Sequence, residues 1–279
     1  MFNLLSAEFY KLRKGKALFV GLLIVAVLVV MLYVSLMMID KINSGEVSNG
    51  TGGVIVFENG ETVAGELGTE SMMQKIGIAG VLQQIFSGHF VGLILAVIVS
   101  IFVVREFGTG AIKNLVGKGY SRSTIFLSKL LSTVVLSILF QVAAAMIAIL
   151  IGIPFLGSEG LSIINWTDIA IYTGLQILFG ITAAGIFVLM GELTRNLAAA
   201  IAVSIGVLLF STSATALLDL LCHQVGFEPT KYWFLDLMSS CPLTEFDTEF
   251  LVRSVLVSIV WFVVAAVLGV LHFQRADVK

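Results

Sequence analysis

The residues best suited to acid–base, nucleophilic or metal chemistry are few in this sequence, and their spacing supports none of it. Its histidines are His89, His223 and His272. None sits in a His-Glu-x-x-His arrangement, and Ser87-Gly88-His89 stands alone as a nucleophile–base pair. No cluster has metal-ligand spacing. Gly117-Lys118-Gly119 lacks the upstream glycine and the following hydroxyl of a phosphate-cradling loop, so no ATPase is expected in this chain. Cys222 and Cys241 fall in one inter-span loop, where they read either as a disulfide or as two unlinked thiols. The remaining polar residues inside apolar stretches are neutral: Gln141, Gln176, Thr182 and the cluster Ser211, Thr212, Ser213 and Thr215. Such groups either hydrogen-bond between helices, at about 1 kcal/mol each, or line a translocation path.

The elements that must position these residues are set by hydropathy. The 279 residues are 58% hydrophobic and 12% charged, against about 25% charged in soluble domains, which excludes a soluble globular fold. Apolar runs long enough to cross a bilayer predict six helices, at 17–39, 76–104, 123–153, 169–190, 197–218 and 251–273. They are continuous rather than alternating, so the fold class is an all-α polytopic membrane protein and not a barrel. The first run is too long for a signal-peptide core and precedes no cleavage pattern, so it counts as a span. Residues 40–75 form a polar outer loop with a glycine cluster at Asn49–Gly53, and 191–196 a short inner one. The whole chain reads as one transmembrane domain.

Charge gives the orientation. Lys11, Arg13, Lys14, Lys16, Arg105, Lys113, Lys118, Arg122, Lys129, Arg195, Arg275 and Lys279 collect on one side, and only Lys41, Lys75, Lys231 and Arg253 on the other. The positive-inside rule then predicts both termini to be cytoplasmic. A net charge of −2 gives no reason to expect nucleic acid.

Two inner segments are amphipathic. In 3–16, Leu5, Phe9 and Leu12 share a stripe, with Glu8, Lys11 and the Arg13–Lys16 cluster on or near the other face, which predicts an interfacial helix. In 105–122, Phe107, Ala111 and Leu115 recur every four residues between glycines, predicting a short bounded helix over 108–121. It could seat in a cytosolic partner or simply pack beneath its own spans; periodicity leaves both open.

The run Glu106-x-Gly108-Thr109, Lys113-Asn114-Leu115, Ser121-Arg122 and Ser128-Lys129-Leu130-Leu131, with the opening Ala7-Glu8-Phe9-x-Lys11-Leu12, resembles the permease subunits of ABC-2-type (type V fold) exporters, especially small ones of Gram-positive bacteria. Gly119-Tyr120 stands where many members have a proline. The resemblance implies a half-transporter in the bacterial plasma membrane that pairs with itself and docks two ATP-binding cassette subunits, which bind ATP and magnesium. It makes 105–122 the coupling helix, with Glu106, Gly108, Thr109, Lys113, Asn114, Leu115, Lys118, Ser121 and Arg122 as docking residues. It also implies that the outer segment 219–250 is re-entrant and caps an outer gate at Trp233, Phe234 and Leu237; by sequence alone that segment is too apolar for a free loop and too interrupted for a span. Antimicrobial peptides, hydrophobic drugs or lipid-like molecules would suit uncharged walls. The competing expectation is an ion-coupled transporter or channel. It is disfavoured because Lys129, Asp219 and Arg253 lie near span ends rather than at mid-membrane.

Overall fold

The computed structural model describes residues 2–43, 57–58, 61–62, 72–87, 89–108, 110–162, 165–222, 228–243 and 246–275. The helices are α1 (Phe2–Lys14), α2 (Lys16–Asn43), α3 (Met72–Ser87), α4 (Phe90–Gly108), α5 (Ala111–Gly117), α6 (Arg122–Ser162), α7 (Trp166–Thr194), α8 (Leu197–Cys222), α9 (Phe234–Ser239) and α10 (Thr248–Arg275), with a 3-10 turn at Pro229–Tyr232. Strands β1 (Phe57–Glu58) and β2 (Glu61–Thr62) pair antiparallel, Phe57 opposite Thr62. The rest of the expected outer loop, including its glycine cluster, lies outside the described residues.

Among the described residues six helices are long and apolar enough to cross a membrane: Lys16–Ile39, Phe90–Phe107, Arg122–Phe155, Trp166–Thr194, Leu197–Cys222 and Thr248–Arg275. The protein is an all-α multi-pass membrane protein. Helix α7 sits at the centre, packed by α4, α6, α8 and α10. Its second half buries Ala183, Ala184, Phe187 and Val188. Small residues let the neighbours approach: the Gln141 amide of α6 occupies the space a side chain at Gly180 would need, and the Phe126 ring does the same at Gly269 of α10. At the periphery α2, α8 and α10 expose Phe19, Leu23, Met31, Phe210, Leu220, Leu256 and Val260. Apolar faces of that kind are stable against lipid and costly against water.

Three expected boundaries change. The span expected over 76–104 is two helices, α3 and α4, because the chain breaks after Ser87. There His89 adopts a left-handed φ of 64°, its Nδ1 lies 2.6 Å from the Ser87 carbonyl, and its own carbonyl starts α4 by accepting from Leu93 N. A non-glycine residue in that region carries strain, sustained here by the packing on both sides. The third span ends at Phe155, close to the expected residue 153, but its helix runs on through Pro154 to Ser162. A missing N–H at Pro154 forfeits one bond to Leu150 without stopping the helix. The helix expected over 108–121 is shorter: α4 continues to Gly108, and α5 holds only Ala111–Gly117, because Gly110 and Gly119 take φ of 67° and 85° and turn the chain at both ends.

Candidate functional site

The alternation of α2, α4, α6, α7, α8 and α10 gathers α1, α5, the start of α6, the α7–α8 turn and the end of α10 at one end of the bundle. That end holds Lys11, Lys14, Lys16, Arg105, Lys118, Arg122, Lys129, Arg195 and Arg275. At its centre is a buried ion network. Glu106 of α4 is 6% exposed and Lys129 of α6 is 1% exposed. Lys129 Nζ stands 3.1 Å from Glu106 Oε2, donates to the Val103 carbonyl at 3.4 Å and lies 4.8 Å from the Phe107 ring centre. From α1, Lys11 Nζ reaches Glu106 Oε1 at 2.7 Å and Glu8 Oε1 at 3.0 Å. One carboxylate thus joins α1, α4 and α6.

Glu8 is 1% exposed, so it does not lie on the solvated face expected for it. The buried stripe of α1 contains Leu4 and Glu8, and α1 packs on α6. Burial, then the Glu106 charge, push the Glu8 carboxyl above its ordinary range, and Lys11 opposes them. Burial would lower the Lys11 ammonium, but its hydrogen bonds and charge contacts with Glu106 and Glu8 outweigh that and raise it. Deeper in the same end lies Glu192 of α7, 1% exposed, with neither carboxylate oxygen hydrogen-bonded among the described residues. The charges that act on it are those of Lys129 and Arg195. Arg195 turns the α7–α8 corner with φ 48° and stacks 5.8 Å from the Phe107 ring.

The docking residues expected from the sequence divide. Glu106 is the hub of the network. Gly108 closes α4, and Thr109 lies outside the described residues. Lys113 and Asn114 are on α5, with Asn114 exposed; Leu115 packs inward, and Lys118 caps α5 exposed. Ser121 accepts from Thr124 N at 3.3 Å at the start of α6, and Arg122 donates to the Gln274 carbonyl at 3.2 Å, tying α6 to the end of α10. Phe107 meets Phe273 edge-on at 6.5 Å in the same seam.

The residues considered for a translocation path are not brought together. Gln141 donates to Ser137 and, at 3.5 Å, to the Ile177 carbonyl of α7. Thr182 donates to Leu178 and Ser258 carbonyls, joining α7 to α10. Gln176 Nε2 donates to the Met238 carbonyl at 3.2 Å. On α8, Thr215 donates to the Ser211 and Thr212 carbonyls, and Thr212 borders a cavity of about 640 Å³ with Asp236 and Arg253, at the end of the bundle opposite the basic one.

Phe234 and Leu237 are buried on α9, and Trp233 stacks edge-on with Trp261 at 4.6 Å. The segment is pinned at two points. Ser87 and Gln176 both donate to the Met238 carbonyl, and Trp261 Nε1 donates to the Tyr232 carbonyl at 2.9 Å. Gln176 lies roughly 15 Å along α7 from its start at Trp166, at 1.5 Å per residue, so α9 sits within the bundle. Asp219 receives Thr230 N and Oγ1 and holds the preceding turn. The disulfide considered for Cys222 and Cys241 is absent: both thiols are free, Cys241 buried with its Sγ toward the Pro242 carbonyl and Cys222 half-buried at the end of α8. His223 lies outside the described residues.

Sequence reasoning missed Lys129, Glu192 and Arg195 as members of a site. Their signal was present: opposite charges at the same end of successive spans, and Glu8-x-x-Lys11 in one turn of α1. A family model described as a protein of unknown function, DUF2705, matches residues 23–279. No curated protein matches the chain.

Proposed function

The chain belongs to the DUF2705 family, and we propose that it is the membrane-spanning permease of an ABC-2-type exporter. Two copies pair with each other, and two copies of a separate ATP-binding subunit, loaded with ATP and magnesium, dock on them. In this reading the basic end faces the cytoplasm of a bacterial cell, α5 is the docking helix, and amphipathic or hydrophobic molecules leave past α9. Supporting it beyond the resemblance is one relationship: α5 begins at Ala111, five residues after Glu106, whose carboxylate grips Lys11 of α1 and Lys129 of α6. A push on a short helix hung between left-handed glycines is passed to three elements at once. Such a joint has a use where a partner moves it.

The test is co-purification with a candidate ATP-binding cassette subunit from the same genome. Charge reversal at Lys113 and Lys118 should release that subunit and end its ATPase stimulation while membrane insertion persists. A retained complex with unchanged stimulation contradicts the assignment. A second reading, ion-coupled transport without an ATPase, is favoured by Glu192, a carboxylate fully buried near the inner end of α7 with no hydrogen-bond partner among the described residues. Transport that survives an ATPase-dead partner but collapses with the proton gradient would select it.

A further inference from the structure

At the basic end a groove of about 520 Å³ runs between α1, the first turns of α2 and the last turns of α4. Its mouth carries Lys14, Lys16 and Arg105; its floor is Leu18, Ile101 and Phe102. The volume falls in the range of small-molecule sites. Lys11 also borders the groove, but Glu8 and Glu106 already neutralise it. By contrast, neither Lys14 nor Lys16 has a carboxylate partner among the described residues. Lys14 instead stands 5.7 Å from the exposed Tyr10 ring, an amphipathic pair suited to headgroup depth.

The shape has a local cause. Gly15 separates α1 from α2, its N–H bonded back to Lys11 and Leu12 carbonyls, so the chain turns from the membrane plane into a span. One turn beyond Leu18, Gly21 is buried where α2 meets α4; a side chain there would overlap Ile98 and crowd Ile94 and Phe140. That crossing closes the interface on one side, and the groove opens on the other. Its apolar floor continues onto the exposed face of α2 at Phe19 and Leu23, the surface that faces lipid.

We propose that this groove binds one anionic phospholipid, its phosphate-bearing headgroup held by Lys14, Lys16 and Arg105 and the upper part of an acyl chain laid over Leu18, Ile101 and Phe102. A cationic mouth selects negative charge, and a floor open to the bilayer selects a ligand with a hydrocarbon tail. Free phosphate would use only the first feature and a neutral lipid only the second. The bound lipid bridges α1 to α4 beside Glu106, so it steadies the ion network from the membrane side. The proposal rests only on the protein spanning a membrane, and it stands or falls independently of the exporter reading.

The test is native mass spectrometry of the full-length protein released from bilayers containing equal phosphatidylglycerol and phosphatidylcholine. One phosphatidylglycerol per chain should be retained in preference to phosphatidylcholine. The preference should fall by about fivefold for each lysine removed in Lys14→Gln and Lys16→Gln, and persist in the Lys14→Arg/Lys16→Arg variant, which keeps the charge. Ile101→Trp, filling the floor, should remove the retained lipid while melting cooperatively. Equal retention of both lipids, or an unchanged preference in the double glutamine variant, overturns the proposal. Inorganic phosphate that raises the melting temperature as much as phosphatidylglycerol does would also overturn it, assigning the mouth to a free anion.

Discussion

Lys129 Nζ and Glu106 Oε2 stand 3.1 Å apart between two membrane helices, the lysine fully enclosed and the glutamate nearly so. Among the described residues Lys129 has its only ion pair with Glu106, whereas Glu106 is also held by Lys11 at 2.7 Å. Removing one partner of such a pair costs about 3–5 kcal/mol, more than the pair itself contributes, because a lone buried charge remains. Lys129→Met should therefore sharply lower the yield of folded protein. The double variant Lys129→Met/Glu106→Gln should recover a substantial part, since both buried charges are gone. A thermal-melting double-mutant cycle reads this directly; strictly additive losses would mean that the two side chains do not depend on each other.

Glu192 should behave in the opposite way. Its oxygens have no hydrogen-bond partner among the described residues, so Glu192→Gln exchanges an enclosed, ionisable carboxyl for a neutral amide without breaking a hydrogen bond. Stability should stay level or rise by about 1 kcal/mol, in contrast to the loss at Lys129. Melting temperature in one detergent decides between them. A fall as large as that of Lys129→Met would show Glu192 to be an integral partner of the network.

The helices and the network were legible to different degrees for a physical reason. Hydropathy sums over about twenty residues, so Lys16–Ile39 and Leu197–Cys222 stand out within a few residues of their expected bounds. A buried charge is decided by what lies opposite, which no single helix records. Of the expected stripe of α1, Leu12 packs against the core, and Glu8, expected on or near the other face, is enclosed beside Leu4 because Lys11 bridges it to Glu106. The break at His89 was hidden likewise: Ile76–Val104 is apolar enough for one span, and only the short Ser87-Gly88-His89 interrupts it. The apolar residues of 219–250 did signal burial, and Phe234 and Leu237 are enclosed; their hydrogen-bonded anchors, Ser87 and Gln176, come from distant segments.

The turn after α5 should be sensitive to a single methyl group. Gly119 holds φ 85° with nothing within 4 Å of where a side chain would project, so Gly119→Ala tests backbone conformation alone. A left-handed residue with a side chain costs about 1–2 kcal/mol. The variant should fold with slightly lower stability and, in the exporter reading, couple ATP hydrolysis poorly to transport. Unaltered coupling at normal expression would show that the angle of α5 is not used.

Asp236, on α9 at the edge of the cavity that Thr212 and Arg253 also line, sets a pH dependence. Burial, then the nearby Asp219 charge, raise its carboxyl above the ordinary value of 3.8, with Thr215 and His89 opposing. A carboxyl raised in the folded state gives stability that is complete below its unfolded value and is lost as pH rises through its folded one. Asp236→Asn should thus melt higher than the parent at neutral pH, and the two should converge in acid. Parallel melting curves across that window would remove Asp236 as the cause.

The anchoring of α9 can be read through a native thiol. Cys241 is enclosed, and burial pushes its thiol up to about 12. It should resist membrane-impermeant thiol reagents in a Cys222→Ser background, being both shielded and almost wholly protonated at neutral pH. Its shielding depends on α9 staying down, which depends in turn on the Met238 carbonyl receiving Gln176 and Ser87. Gln176→Leu together with Ser87→Ala leaves that carbonyl without its side-chain donors inside the bundle, a loss of about 1–3 kcal/mol. Since 1.4 kcal/mol is a factor of ten in an opening equilibrium, labelling of Cys241 should accelerate by roughly ten- to a hundredfold in the double variant. If α9 is the outer gate, docking of ATP-loaded partner subunits should produce a comparable acceleration in the parent. Rapid labelling of Cys241 in the parent protein, before either change, would mean that α9 is not held closed by these bonds.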